Sequence, residues 1–156
     1  MAVYHGLPAT SCADSFTPVP TDFTHVWTKG THPFTGASVI DIDGDGTFEV
    51  FVGGGEGQRD ALLSYRDGQL VDIEQGTGLS NTSATYGSTA IDMMQMQIRI
   101  CLSREKTVSI SYLNDGGRFQ ERPIPVNLPT DSVPFSVAVS DIDHDDIEGT
   151  CTSVSS

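Results

Sequence analysis

A short acidic loop carries the clearest chemistry in this sequence. Residues 41–49 read Asp-Ile-Asp-Gly-Asp-Gly-Thr-Phe-Glu, which places carboxylates at the first, third, fifth and ninth positions. Alternate acids on a loop that contains two glycines can turn their oxygens toward one point. Converging carboxylates repel one another unless a cation lies between them, and hard oxygen donors in this number favour calcium. The loop therefore predicts a calcium site.

The predicted ligands of this loop are the side chains of Asp41, Asp43 and Asp45, the carbonyl of Thr47, and Glu49, which closes the shell. A second, shorter acidic loop supplies three further predicted ligands, Asp141, Asp143 and Asp145. The alternative is that both loops are ordinary solvated turns. An EF-hand is excluded, because its twelfth position requires a glutamate, which here is Val52, and because it requires a helix on each side.

The two acidic loops belong to an internal repeat. Residues 86–93 open a second copy of the pattern between them. Asp41, Asp92 and Asp141 occupy equivalent positions at spacings of 51 and 49 residues. A period of about 50 residues is typical of a propeller blade made of four short strands. The repeat therefore predicts an all-β chain, and convincing helical periodicity is absent.

The strands that must position the acidic loop are predicted from β-rich runs separated by turn signals. Asp67-Gly68 and the stretch 114–117 are hairpin turns, because glycine accepts the positive φ that tight turns require. The glycine-rich run 53–57 favours a flexible turn between strands over a calcium-binding β-roll repeat. The predicted strands are 37–40, 49–52, 62–65, 70–73, 108–113 and a run from 119 onward.

Composition excludes several classes of function. The chain has 156 residues, with 21 acidic against 8 basic side chains and a formal net charge of −13. Such a chain is repelled by nucleic-acid phosphates and by anionic membranes. No apolar run approaches the roughly 18–20 residues of a membrane helix, and no signal peptide is readable. Three widely spaced cysteines and four scattered histidines argue against structural zinc.

The loop pattern Asp-x-Asp-Gly-Asp-Gly-x-x-(Asp/Glu), preceded by an aromatic and a small residue, resembles the FG-GAP repeat, also called the VCBS-type repeat. Residues 63–79 are similar to the blade hairpin of the cartilage-acidic-protein-1-like group, and the resemblance covers roughly residues 34–145. It implies an extracellular, calcium-stabilised propeller like the seven-bladed one of integrin α-subunits, which serves adhesion or ligand recognition rather than catalysis.

The expected architecture is a partial β-propeller of about two to three four-stranded antiparallel blades, a fragment of a seven-bladed propeller. An irregular N-terminal segment covers 1–33, and the blades cover 34–84, 85–133 and, incompletely, 134–156. The expected function is a non-catalytic calcium-binding module for adhesion or ligand recognition. The expected partners are calcium ions and a protein or carbohydrate ligand, with self-association through open blade edges. The intact parent protein is expected to be extracellular or periplasmic.

Two alternatives to this function stay open. The chain could be the accessory propeller portion of a secreted hydrolase, although no catalytic motif frames its Asp and His residues. It could also be a non-functional frameshifted or truncated product. Residues 93–101 contain no acid where the second copy of the loop should continue, yet one inserted base would permit alternating aspartates there.

Overall fold

The computed structural model describes residues 17–27, 35–93, 97–104, 109–124, 134–140 and 150–155. Within these ranges the chain is all-β, as the sequence predicted, and contains no helix. The strands are β1 Ala37–Ile40, β2 Glu49–Val52, β3 Ala61–Arg66, β4 Gln69–Asp72, β5 Thr85–Met93, β6 Gln97–Arg104, β7 Ser109–Asp115, β8 Arg118–Pro123, β9 Pro134–Ser140 and β10 Thr150–Ser155.

The strands form sheets in which neighbours along the chain are also neighbours in space. β1 to β4 form one four-stranded antiparallel sheet, β5 to β8 form a second, and β9 pairs with β10. The predicted turn at Asp67-Gly68 is confirmed, since φ is +50° at Asp67 and +88° at Gly68. Both angles are positive, as a tight hairpin turn of the primed type requires.

The hydrophobic core lies between the two four-stranded sheets. Phe51 of β2 and Leu62 of β3 are cross-strand partners, and both are fully buried. The second sheet contributes Tyr112 and Phe119, whose rings meet edge to face with centroids 6.3 Å apart. The cluster consists of Ile40, Phe51, Leu62, Leu79, Ile110, Tyr112 and Phe119. This burial of apolar surface is the main force that holds the sheets together.

Successive sheets meet through their first strands. β1 contacts β5, and β5 in turn contacts β9. The approach of β1 to β5 is close, because a Cβ atom at Gly36 would lie 2.5 Å from the backbone of Gly87 and Ser88. Gly36 also donates its N–H to the carbonyl of Thr85 at 3.4 Å. Only glycine fits at this crossing.

The outer strand of each four-stranded sheet is capped by the chain segment that precedes that sheet. In the first sheet, Leu70 donates its N–H to the carbonyl of Pro20 at 2.8 Å, in a parallel bridge between Thr21 and Leu70. In the second, Phe119 donates to the carbonyl of Thr77 at 2.6 Å. Leu70 and Phe119 are each the second residue of the last strand of their sheet, so the two caps occupy equivalent positions.

The glycine-rich run 53–57 is divided: Glu56 and Gly57 form an exposed turn, as predicted, whereas the three glycines before them are packed against other segments rather than flexible. Gly53, Gly54 and Gly55 are all buried. A Cβ atom at Gly55 would overlap the carbonyl oxygen of Val26, and one at Gly53 would lie 2.8 Å from the side chain of Thr85. The run therefore lets three chain segments meet at one end of the first sheet.

Among the residues that the structure describes, no helix is long and apolar enough to cross a membrane.

Candidate metal centre

The acidic loop joins the first two strands of the first sheet. β1 and β2 pair antiparallel, and Ile40 lies opposite Glu49, so their register brackets residues 41–48 at one end of the sheet. Ile40 is buried and anchors the start of the loop in the core. The loop is therefore a rigidly mounted connection whose two ends are fixed by a strand pair.

Hydrogen bonds within the loop fold it around its own carboxylates. Asp41 accepts the N–H of Gly44 at 2.8 Å on one oxygen and that of Gly46 at 2.9 Å on the other. Asp43 accepts the N–H of Asp45 at 3.2 Å, and Asp45 accepts the N–H of Thr47 at 2.6 Å. Gly44 and Gly46 have φ of +77° and +85°, a conformation that glycine adopts without steric cost.

The three aspartates converge. One carboxylate oxygen from each of Asp41, Asp43 and Asp45 lies within 4.8 Å of the others. An ionised carboxylate has about four acceptor sites, so the backbone N–H groups leave lone pairs on every oxygen. Three hard, negatively charged donors at this separation suit a calcium ion, which takes oxygen ligands and tolerates irregular geometry. The residues present fit the metal predicted from the sequence.

Glu49 occupies a different environment from the three aspartates. It is only 6% exposed, and its carboxylate accepts the hydroxyl of Ser64 at 3.3 Å and the N–H of Ile42 at 3.4 Å. Burial raises the pKa of Glu49; the two hydrogen bonds lower it, and Asp43 and Asp45 add to the increase. The negative charges of the acidic loop thus repel the ionised form of the buried Glu49 carboxylate, and a cation bound in the loop would reduce this repulsion. Its role as the closing ligand stays a prediction.

A residue of the second sheet contacts the loop, and sequence reasoning missed it. Asn114 lies in β7, is 4% exposed, and donates its side-chain N–H to the carbonyl of Ile42 at 2.5 Å. Its side-chain oxygen accepts the N–H of Gly117 at 2.9 Å. The sequence showed Asn114 only as part of a turn, because nothing in it indicates a partner 72 residues away.

The remaining predicted ligands have separate outcomes. Thr47 lies in the loop as predicted, and its assignment as a carbonyl ligand stays a prediction. Asp141, Asp143 and Asp145 lie outside the described residues. In the second sheet, the position equivalent to the acidic loop is different, since β5 runs through Met93 and pairs Met93 with Gln97. The paired strands β5 and β6 therefore come closer together in the chain than β1 and β2, which are separated by an eight-residue loop.

Comparisons with protein-family models, with curated proteins and with solved structures find no match to this chain. The resemblance to FG-GAP repeats therefore rests on the residues of the loop and its hairpin. The geometry of the loop is independent of that resemblance, and its three aspartates could hold a metal ion.

Proposed function

We propose that this chain is a calcium-binding module of the β-propeller type that serves extracellular adhesion or ligand recognition and has no catalytic activity. The convergence of Asp41, Asp43 and Asp45 within 4.8 Å on a loop fixed between two strands carries this proposal. Calcium bridges the three carboxylates and so ties the loop to the end of the first sheet. In this proposal the metal stabilises the fold and takes no part in a reaction.

The arrangement of the sheets supports the propeller part of the proposal. Both four-stranded sheets are antiparallel and follow chain order, and successive sheets meet through their first strands. A propeller is built from four-stranded sheets placed around a central axis. The hydrogen bonds that Leu70 and Phe119 make to the preceding segments support a repeating unit that includes the segment before each sheet.

Exposed aromatic side chains beside the loop support the recognition part of the proposal. Phe48 is 62% exposed and Tyr65 is 57% exposed. Continuing the register of β2 and β3 by two residues places Phe48 opposite Tyr65 on one face of the sheet. Exposed aromatic groups with polar surroundings are enriched where proteins bind their partners. A protein or carbohydrate ligand is the partner that we propose for this surface.

The experiment that tests the metal is a calcium titration of the full chain by calorimetry, together with melting curves in calcium, in magnesium and in a chelator. Extracellular calcium modules bind with a Kd of about 10⁻⁴–10⁻³ M. At about 1 mM calcium and a Kd of about 10⁻⁴ M, binding adds about 1.4 kcal/mol of stability. For a chain of this size the melting temperature rises by about 3–6 °C.

The test variant is Asp43→Asn, and its matched control is Asp67→Asn. Both substitutions remove one exposed carboxylate, and asparagine tolerates the positive φ at position 67. Asp43→Asn should reduce the calcium-dependent rise in melting temperature, because it removes a negative charge but keeps a side-chain oxygen, whereas Asp67→Asn should retain the full rise. An equal response of the two variants, or no binding of calcium by the parent chain, would remove the metal assignment.

A further inference from the structure

The loop between the first two sheets contains the triplet Asn81-Thr82-Ser83. An asparagine followed by any residue but proline and then by serine or threonine is the acceptor pattern for N-linked glycans. The other two asparagines of the sequence lack the pattern, since Asn114 precedes Asp-Gly and Asn127 precedes Leu-Pro. The chain therefore offers a single candidate acceptor.

The fold places this triplet at the surface and outside every strand ladder. It lies between β4 and β5, where Thr82 and Ser83 are exposed and Asn81 is half-buried. The side-chain oxygen of Asn81 accepts the N–H of Ser83 at 2.9 Å, which forms a local turn within the triplet. A group attached here does not displace any strand.

The side-chain nitrogen of Asn81 can carry a sugar and still keep its hydrogen bond to Glu121. It donates to a carboxylate oxygen of Glu121 at 3.2 Å, and Glu121 is itself exposed on β8. A primary amide has two N–H groups, and attachment of a sugar replaces one of them. The second N–H remains able to donate to Glu121.

The triplet lies away from the acidic loop. The carbonyl of Thr82 accepts the N–H of Gly57 at 2.9 Å. Gly57 follows the end of β2, whereas the acidic loop precedes its start, so the two sites lie at opposite ends of that strand. A glycan at Asn81 therefore leaves access to the loop open.

We infer that Asn81 is the acceptor of an N-linked glycan when this chain passes through a eukaryotic secretory pathway, an inference that rests on the extracellular location in the proposed function. The side-chain nitrogen of Asn81 attacks the first sugar carbon of a lipid-linked oligosaccharide pyrophosphate. The N–C bond forms, the bond from that carbon to the pyrophosphate oxygen breaks, and the lipid pyrophosphate leaves. The amide proton passes to a base of the transferase.

The test expresses the full chain behind a cleavable secretion leader in cultured animal cells. The leader-cleaved chain, from medium and membranes together, is measured by intact mass before and after treatment with a glycosidase that releases N-linked glycans. That enzyme leaves aspartate at the former acceptor, which peptide mass spectrometry reads at position 81. The expected result is a heavier chain that, after treatment, has the mass of the polypeptide with aspartate in place of asparagine at position 81.

Three variants make the outcome specific. Asn81→Gln and Ser83→Ala should remove the extra mass, whereas Thr82→Ala, which keeps the acceptor pattern, should retain it. A leader-cleaved parent chain of unmodified mass overturns the inference, and so does extra mass that persists in Asn81→Gln. Calcium binding is measured separately on chain made in bacteria, so failure of the glycan and failure of the metal are distinguishable.

Discussion

At the residue scale, the most consequential charged pair outside the acidic loop is Arg59 with Glu74. The side chain of Glu74 is only 4% exposed, whereas that of Arg59 is 53% exposed, so the ion pair reaches from the interior to solvent. Burial raises the pKa of Glu74; Arg59 lowers it through its charge and its hydrogen bond, and Asp72 and Asp60 raise it further. Burial has the largest effect, so the pKa of Glu74 is raised overall.

This shift predicts how stability depends on pH. A carboxyl group whose pKa is higher in the folded chain binds more protons there than in the unfolded chain. Its stabilising contribution is complete below its ordinary pKa of 4.5 and is lost as pH rises through the raised value. Glu74→Gln should therefore show a flatter fall in the free energy of unfolding above pH 4.5 than the parent chain.

Denaturant unfolding at a series of pH values, in a chelator, measures this difference. The chelator keeps bound metal out of the comparison, and Glu49, whose pKa burial also raises, is present in both chains. Glu56→Gln removes the same charge at an exposed position and controls for net charge. Parallel pH profiles for Glu74→Gln and the parent chain would contradict the prediction.

At the element scale, the side chain of Gln58 joins the segment 17–27 to the first sheet. Gln58 accepts the N–H of Val26 at 2.7 Å and that of Gly55 at 3.2 Å on its oxygen, and its nitrogen donates to the carbonyl of Thr24 at 2.8 Å. Its amide thus links the segment to the buried glycine run. Backbone pairing of Leu70 with Pro20 secures the other end.

Gln58→Ala removes all three of these hydrogen bonds. Each contributes about 1 kcal/mol to stability, so local opening of the segment should become roughly ten-fold or more easier. Hydrogen exchange measured by mass spectrometry should show faster exchange in peptides from 22–27 and little change in peptides from β3. Gln69→Ala, at an exposed position in β4, is the control. Unchanged protection of 22–27 in Gln58→Ala would show that the segment is held by other contacts.

At the scale of the whole molecule, Asn114 links the second sheet to the acidic loop of the first. Its buried amide holds the carbonyl of Ile42, which lies between two of the aspartates that converge. The packing of one sheet on the other therefore helps to set the shape of the candidate metal centre. The conformation of the loop thus depends on a contact from the second sheet as well as on the two strands that it joins.

Asn114→Ala is expected to weaken calcium binding about ten-fold, because the loop loses a buried hydrogen bond worth about 1–1.5 kcal/mol. Calorimetric titration measures the Kd. Ser111→Ala is the matched control, since Ser111 lies buried in the same strand and donates to the carbonyl of Arg122 without touching the loop. Ser111→Ala should lower the melting temperature of the metal-free chain and leave the Kd unchanged. Equal Kd values in both variants would limit Asn114 to a structural role.

The sequence by itself determined the local parts of this protein. Alternation and turn residues predicted β1 and β2 with the bounds that the structure has, and Asp67-Gly68 predicted its hairpin, because these depend on residues within a few positions of one another. The spacing of Asp41, Asp43 and Asp45 likewise predicted their convergence. Each of these features depends on the residues of one short stretch of the chain.

Only the tertiary structure decided which distant segments meet. Two hydrogen bonds, one between Asn114 and Ile42 and one between Val26 and Gln58, join residues that are far apart in sequence. No local pattern in the sequence indicates either of them. The sequence predicted a flexible turn over 53–57, but its first three glycines are buried, because a sequence does not show which neighbouring segment packs where a side chain is missing. Local propensity fixes strands and turns, whereas packing between sheets fixes the partners of each buried polar group.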